Sequence, residues 1–381
     1  MFSLLKKLPL TLAEIILGMP ITVSRRGSVT VVRQCLFWPF VICLASSLTA
    51  QDPVDEALLI DKIHVLGGEV ERDTQLPGAP VFLIRFREKC RFNDKYFRVL
   101  RDFKQLNTLI FQFGGIDEGK KVTDRCLPEL KQLQGLTSLS LRFTRITNAG
   151  LKELCELHQL KTLDLSMTQV TDKGLVELQA LRNLAHLKLQ SLNISGAGLR
   201  ELRHNARLTH LDISHSHISE PGLKGLSELR QLRTLNASSV RLSESDVIEI
   251  NELHGLESLR LQYAQVTDNS LRHLKDLEQL TTLNLLGNNL TDRGLSELTQ
   301  LRNLKTLSLG DCQISDTGLK RLAELPQLTH LSLRLTQVTD VGLKELVNFK
   351  NLTKLNISST RITEKGLAEL REILPGLEIS R

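Results

Sequence analysis

The feature that most constrains this chain is a repeat of 24 residues. Without a gap, a leucine opens each unit at Leu136, Leu160, Leu184, Leu208, Leu232, Leu256, Leu280, Leu304, Leu328 and Leu352. One unit, residues 160–183, reads LKTLDLSMTQVTDKGLVELQALRN. Self-similarity at a fixed period of this length is typical of a solenoid, in which each unit packs only on its neighbours. The repeat therefore predicts an elongated array instead of one rounded core.

Each unit contains two hydrophobic periodicities. Leu163 and Leu165 are two residues apart, which is the spacing of side chains on one face of a strand. Leu175, Leu178 and Leu181 are three apart, which places them on one stripe of a helix. The unit therefore predicts a strand, a turn, a short helix and a return. Stacked units would join their strands into a parallel sheet and their leucines into one continuous core.

Two further positions of the unit suggest how each helix begins. Thr171 is expected to cap free N–H groups with its hydroxyl, and the Asp172 carboxylate is expected to favour the positive helix end. Position 15 is usually glycine, as at Gly174, but Asp246 and Ser270 also occupy it. Since these residues disfavour a left-handed backbone, we expect the glycines to permit close packing between helix starts.

The pattern LxxLxLxxT followed by xITDxGLxxLxxL resembles the leucine-rich repeat family. Its T-D-x-G-L form is similar to repeats of exported bacterial proteins and to F-box-associated repeats. The resemblance covers roughly residues 81–379. It implies an α/β solenoid shaped as a horseshoe, with parallel strands on the concave face and short helices on the convex face. It also implies protein–protein binding as the commonest role.

Composition divides the chain into three parts. Residues 1–50 read as a leader, residues 51–80 as an N-terminal cap, and residues 81–381 as a solenoid of about 12 repeats. In the cap, residues 55–73 predict a helix, a Gly-Gly stop and an edge strand. Residues 374–380 predict a closing strand at the other end.

The leader predicts export. Arg25 and Arg26 precede an apolar run at residues 35–48, which is short for a membrane span but typical of a signal. Met19 as the start would give a leader of conventional length. The alternative is a membrane anchor, if residues 35–50 remain in the mature protein. Four cysteines outside the leader (Cys90, Cys126, Cys155 and Cys312) have no CxxC spacing and indicate neither a zinc site nor a disulfide framework.

The net charge of +6 argues against a nucleic-acid partner. The first fifty residues carry +4 of it, so only about +2 belongs to the remaining 331 residues. The most direct expectation is a protein partner that docks on the concave face, with no cofactor. The sequence leaves the oligomeric state undetermined.

The best candidate anchors are apolar. Position 8 of three consecutive coils holds Phe113, Phe143 and Met167, which we expect to be exposed at the N-terminal rim beside Arg142. An insertion at residues 114–121 either closes over a ligand there or covers Phe113 as part of the cap. Tyr263 adds one isolated aromatic residue farther along the face.

The inward polar residues leave a second reading open. His186 and His210 share position 3 of adjacent coils, and Asp212 lies on the same strand face. Such a group could bind Zn²⁺ or Ni²⁺ and serve a metal-dependent enzyme. An open ladder offers no closed ligand geometry, so a solvated polar surface with no catalytic residue and no metal is the preferred interpretation. A further rival is a substrate adaptor of a ubiquitin-ligase-like complex, although residues 51–80 show no F-box-like helical segment.

Overall fold

The computed structural model describes residues 56–88, 90–113, 121–219 and 222–381. By their contacts, Asp55–Arg381 form one compact unit. The predicted leader lies outside the described residues, so the division of the chain at residue 50 stays a prediction.

Short strands recur once per unit, as the periodicity predicts. They are β1 (Gly68–Arg72), β2 (Val81–Phe86), β3 (Thr108–Phe111), β4 (Ser138–Ser140), β5 (Thr162–Asp164), β6 (His186–Lys188), β7 (Asn193–Ser195), β8 (His210–Asp212), β9 (His217–Ser219), β10 (Thr234–Asn236), β11 (Ser258–Arg260), β12 (Thr282–Asn284), β13 (Thr306–Ser308), β14 (His330–Ser332), β15 (Lys354–Asn356) and β16 (Glu378–Ser380).

Within the described residues, fourteen of these strands form one sheet in chain order, while β7 and β9 pair separately. β1 is antiparallel to β2, and the following neighbours in the main sheet are parallel. The register follows the repeat, because Leu139 pairs with Leu163 and Leu163 with Leu187. Equal stride therefore places each leucine beside its own copy in the next coil.

A short helix, often continued as a 3₁₀ turn, returns the chain in most coils. The helices are α1 (Glu56–Val65), α2 (Phe97–Leu100), α3 (Leu127–Leu130), α4 (Asn148–Leu154), α5 (Asp172–Leu175), α6 (Gly196–Arg200), α7 (Glu244–Asn251), α8 (Asp268–Leu271), α9 (Leu295–Leu298), α10 (Asp316–Leu322), α11 (Asp340–Leu343) and α12 (Glu364–Ile373). In the described part of the chain, no helix combines the length and the apolar character that crossing a bilayer requires.

The core is a continuous column between sheet and helices. Strand leucines such as Leu163 and helix leucines such as Leu175 and Leu178 are fully buried, and Ala237 fills a strand position that is leucine in most coils. At the N-terminus, α1 and β1 adopt the predicted cap, and β16 is the predicted closing strand. The described array is the α/β solenoid that the repeat predicts.

Neighbouring helix starts are joined by a contact that we call the clasp. In one clasp, the Asp124 carboxylate accepts hydrogen bonds from the N–H (2.8 Å) and the hydroxyl (2.6 Å) of Thr147, which belongs to the next coil. The clasps are Asp94–Thr123, Asp124–Thr147, Asn148–Thr171, Asp172–Ser195, Asp268–Thr291, Asp292–Ser315, Asp316–Thr339 and Asp340–Thr363.

The clasp corrects the expected role of Thr171 and Asp172. The Thr171 hydroxyl makes no capping bond to its own helix and instead accepts from Nδ2 of Asn148, at 2.9 Å. The Asp172 carboxylate binds Ser195 in the next coil, at 2.7 Å to both the N–H and the hydroxyl. The T-D pair therefore fastens coil to coil, in addition to marking where a helix begins.

The glycine at position 15 leaves room for this carboxylate. A Cβ added at Gly150 would lie only 2.2 Å from Oδ1 of Asp124, and one at Gly366 would lie 2.2 Å from Oδ1 of Asp340. Real Cβ atoms do not approach an oxygen so closely. The expectation that the glycines serve close packing between helix starts is confirmed.

In the middle of the array, the residues that the structure describes form no clasp. Gly196 stands where other coils carry the aspartate, and Glu244, one methylene longer, binds Arg272 and His273 instead. Ser243 pairs with Asp246 of its own helix in a capping box. Between the Ser195 and Thr291 clasps, other contacts join the described coils: β7 pairs with β9, the Leu223 N–H donates to Oδ1 of Asp246 at 2.6 Å, and the Gly225 N–H donates to Oε2 of Glu249 at 3.2 Å.

Candidate binding face

The face of the sheet that points away from the core presents positions 2, 3, 5, 7 and 8 of each coil, and we call it the sheet face. Position 8 has a positive φ in all ten coils from Leu136 onward, for example 62° at Phe143, 52° at Tyr263 and 59° at Leu335. A left-handed backbone disfavours residues with a side chain, by roughly 1–2 kcal/mol each. The N–H at position 8 offsets this by donating to the next coil, as from Phe143 to the Ser166 carbonyl at 3.1 Å.

Phe113 does not belong to this exposed row. Its side chain is only 4% exposed, and its ring stacks on Phe111 with centroids 5.7 Å apart. Phe111 in turn stacks on Phe86 and Phe97, so these rings fill the core of the first coils. The expectation that Phe113 is exposed is wrong, because its ring joins this aromatic core. The adjacent insertion, residues 114–120, lies outside the described residues.

Arg142 is held in place across three coils. Its guanidinium carbon lies 5.0 Å from the ring centroid of Phe143, and its Nη1 donates to Oε1 of Gln190 at 2.7 Å. Between them, position 7 of the intervening coil is Ser166, which is fully buried and leaves the path open. Nε2 of Gln190 then donates to Oδ2 of Asp212 at 2.7 Å. These contacts fix a cation beside an aromatic ring at the sheet face.

Met167 completes the row next to Phe143. It follows Phe143 at position 8 of the next coil, and both side chains are half-buried. The hydrogen bond from Phe143 to Ser166, the residue before Met167, sets the two backbones side by side. The structure thus places Arg142, Phe143 and Met167 on adjacent coils, half-buried instead of fully exposed, and their role as anchors stays a prediction.

The two histidines of adjacent coils stack on each other. The rings of His186 and His210 have centroids 4.1 Å apart and an interplanar angle of 28°. Partial burial, followed by His210 and Lys188 nearby, lowers the pKa of His186, which favours its neutral form. Among the described residues, no three His, Cys, Asp or Glu side chains are grouped so that they could hold a metal ion.

Asp212 is committed to other partners. Its Oδ1 accepts from the N–H (2.9 Å) and the hydroxyl (2.6 Å) of Ser214, and its Oδ2 accepts from Gln190 and from Asn236 at 3.0 Å. With four donors on the carboxylate, His186, His210 and Asp212 do not form a hydrogen-bonded catalytic group. Nucleophilic catalysis would need such a contact.

The charge on the face is positive toward its C-terminal half. Arg233 lies 3.8 Å from Glu257 and Lys354 lies 3.3 Å from Glu378. Arg260, Lys305 and Arg334 make no ion pair with any carboxylate of the described residues, although each is exposed. Exposed cations without a partner are available to an acidic ligand.

The model of the leucine-rich repeat family matches residues 133–155, 157–178, 204–227, 279–298, 300–323, 325–347 and 350–370. The chain is a leucine-rich-repeat protein. Between its first and last residues, the match leaves out mainly residues 179–203 and 228–278. Comparison with curated protein sequences gave no match.

Two solved structures resemble this leucine-rich-repeat protein over most of its length. An internalin from Listeria monocytogenes is 20% identical with a TM-score of 0.56, covering 86% of this chain and 94% of the internalin. A leucine-rich-repeat protein of Leptospira interrogans is 25% identical with a TM-score of 0.54, covering 74% of each chain. The first likeness concerns the fold alone.

Sequence reasoning missed two features of this leucine-rich-repeat protein. Leu335 is 42% exposed at position 8, in the same row as Tyr263, which is 51% exposed. Leu335 occupies the same position of the repeat as Phe143, so the sequence pattern that identified Phe143 could also have identified Leu335. The contact between Arg142 and Gln190 spans 48 residues, and no local pattern indicates it.

Proposed function

We propose that this leucine-rich-repeat protein is an exported, non-enzymatic module that binds a partner protein through the sheet face and its N-terminal rim. The observation that carries the proposal is the fixed Arg142 beside Phe143 and Met167. Arginine and aromatic residues are enriched among the few residues that dominate binding at protein interfaces. Side chains already held in place lose less conformational entropy when a partner binds.

The polar residues around this rim would supply the edge of the interface. The Gln190–Asp212–Asn236 chain and the His186–His210 stack present a hydrogen-bonding surface along three coils. Such a surface suits a protein partner, because interfaces combine an apolar centre with a polar margin. Tyr263 lies farther along the same face.

Export is supported by residues 25–48, with a basic pair before an apolar run. The thiols are compatible with an oxidising destination. Burial is the main cause that raises the pKa of Cys126, Cys155 and Cys312, and nearby carboxylates such as Asp94 raise that of Cys126 further. These thiols therefore remain protonated and are poor nucleophiles at neutral pH.

The test begins with the chain expressed from Met19 in a host that exports it. Mass spectrometry of the mature N-terminus shows whether the leader is removed, and the proteins that co-purify supply candidate partners. A mature chain that still begins at Met19 would reject removal of the leader.

The Phe143→Ala variant then tests the site itself. Loss of the ring should weaken binding of a true partner by at least about 1 kcal/mol, roughly fivefold in Kd, since the half-buried ring is the apolar centre of the rim. Titration calorimetry of the wild type and the variant against the recovered partner measures this. Ser359→Ala, at the same position of a distant coil, is the matched control and should bind unchanged. Equal affinity of the Phe143→Ala variant would reject this placement.

A further inference from the structure

A second apolar patch lies on the C-terminal half of the sheet face, five coils from Phe143. Its most exposed members are Tyr263 (51% exposed) and Leu335 (42% exposed), both at position 8. Leu286, at position 7 of the coil after Tyr263, lies half-buried between them. The patch shares no residue with the rim around Arg142, so the two sites can be tested separately.

Two glycines seat the large side chains of this patch. A Cβ at Gly287 would lie 2.1 Å from Cε1 and 2.2 Å from Cδ1 of Tyr263, so the ring rests directly on the Gly287 backbone. A Cβ at Gly310 would lie 2.7 Å from Cδ1 of Leu286. Both side chains therefore lean over a glycine of the following coil.

The backbone conformation does not explain Gly287. Its φ is 70°, but the other nine coils hold side-chain residues at this position with φ between 52° and 62°. The space beneath the tyrosine ring is what a side chain at 287 would fill. The glycine thus holds an exposed aromatic ring flat and ordered before any ligand arrives, which reduces the entropy lost on binding.

Each exposed anchor has an unpaired arginine on its own strand segment. Arg260 lies three residues before Tyr263, and Arg334 immediately precedes Leu335. Both are exposed and make no ion pair with the described carboxylates, and Asp311 is the one acidic residue at position 8 between the anchors. The patch is therefore apolar with a basic margin, which complements an acidic ligand.

The spacing of the anchors fits an extended peptide. Tyr263 and Leu335 are separated by three strand spacings, about 14 Å at roughly 4.8 Å each. In an extended chain, residues four apart lie on the same face and about 13 Å from each other. We propose that this patch binds an acidic, extended segment of a partner protein that presents two apolar side chains four residues apart.

The probe is a labelled nine-residue peptide, Glu-Glu-Phe-Glu-Ser-Glu-Phe-Glu-Glu, titrated with the purified protein and followed by fluorescence anisotropy. We expect saturable binding that weakens as salt is raised. A peptide with its phenylalanines three residues apart places them on opposite faces and should bind at least about fivefold more weakly. The same should hold for the peptide with lysine in place of every glutamate.

Three variants locate the site. Tyr263→Ala should weaken the peptide at least about fivefold by removing an anchor. Gly287→Ala should weaken it as well, because the new methyl group unseats the ring while every side chain of the patch remains. His215→Ala, an exposed residue at the same position of another coil, is the control and should bind as the wild type does. Circular dichroism and melting temperature verify that each variant is folded.

Several results would overturn the proposal: no saturation up to about 1 mM peptide, equal binding of the lysine peptide, or unchanged affinity after Tyr263→Ala. Concentration-dependent dimers that disappear with Tyr263→Ala would also overturn it, by showing that a second copy covers the patch. Phe143→Ala should leave the peptide affinity unchanged, so failure at one site is distinguishable from failure at the other.

Discussion

At position 15 of the repeat, the absence of a side chain lets a carboxylate from the preceding coil reach the next helix start. The Cβ of any residue at 366 would overlap Asp340, whose three nearest atoms lie within 2.2 to 3.0 Å. Hydrogen bonds from the Thr363 hydroxyl and N–H lower the pKa of Asp340, which favours its charged form. Glycine and aspartate in T-D-x-G-L are therefore two halves of one contact between different coils.

This pairing predicts a non-additive double mutant. Gly366→Ala should lower the free energy of unfolding by about 1–3 kcal/mol, because the new methyl group overpacks against Asp340. In an Asp340→Ala background, the same change should be neutral or slightly stabilising, since only the better helix propensity of alanine remains. Urea unfolding of the four proteins of the cycle measures both effects. Equal costs in the two backgrounds would contradict the pairing.

The same carboxylate gives the clasp a pH dependence. A pKa lowered in the folded state means that Asp340 stabilises the protein above its unfolded pKa, about 3.9, and loses this contribution as the pH falls through the folded value. Asp340→Asn should keep the clasp, as Asn148 does with Thr171, but without titrating. Urea midpoints at pH 6 and pH 3 should therefore fall less in the variant. An identical fall in both proteins would exclude this role.

At the scale of the element, the junction between the Leu232 and Leu256 coils shows what replaces a clasp. Glu244 occupies the aspartate position and binds Arg272 (2.8 Å) and His273 (2.6 Å), while Ser270 occupies the glycine position. The Thr267 hydroxyl, without an aspartate, lies 3.2 Å from that of Ser270. A longer acid and a larger residue at position 15 therefore change together.

The double change Glu244→Asp with Ser270→Gly should install a clasp on Thr267. We expect the free energy of unfolding to rise by about 1–2 kcal/mol, the net value of two hydrogen bonds. Glu244→Asp alone should give no such gain, because the Ser270 side chain fills the space that the carboxylate needs. Thermal and urea unfolding of the single and double variants test this. If the double variant is no more stable than the wild type, the clasp geometry cannot form here.

At the scale of the whole molecule, the clasped segments flank an unclasped middle. Among the described residues, clasps join the coils up to Ser195 and again from Asp268. In a repeat array, stability is approximately the sum of each repeat and its contacts with its neighbours. The coils between residues 196 and 267 should therefore open before the clasped interior on their C-terminal side.

Native-state hydrogen exchange tests this ordering. With increasing urea, strand amides of β10 should lose protection before those of β13, because both are internal strands but only β13 lies between clasped coils. Mass spectrometry of peptides from the two coils measures the difference. Equal protection across the two strands, or faster exchange in β13, would mean that core and sheet alone set local stability.

Much of this protein follows from its sequence alone. The length of the repeat, the strand and helix in each unit, the leucine core and the terminal caps follow from local or periodic sequence patterns. A leucine repeated every 24 residues can be buried only beside its own copy in the next coil. The anchors Arg142, Phe143, Met167 and Tyr263 could be placed by register for the same reason. Whether they bind a partner remains a proposal for the experiments above.

The tertiary structure decided what the register leaves open, namely which neighbour each side chain contacts. Phe113 is buried with its ring stacked on Phe111 in the first coils, and Thr171 binds Asn148 of the preceding coil in place of its own helix. The ring of Tyr263 lies on Gly287, 24 residues away. Periodicity specifies the position of a residue within its coil, whereas contacts between coils depend on the size and charge of two residues distant in the chain.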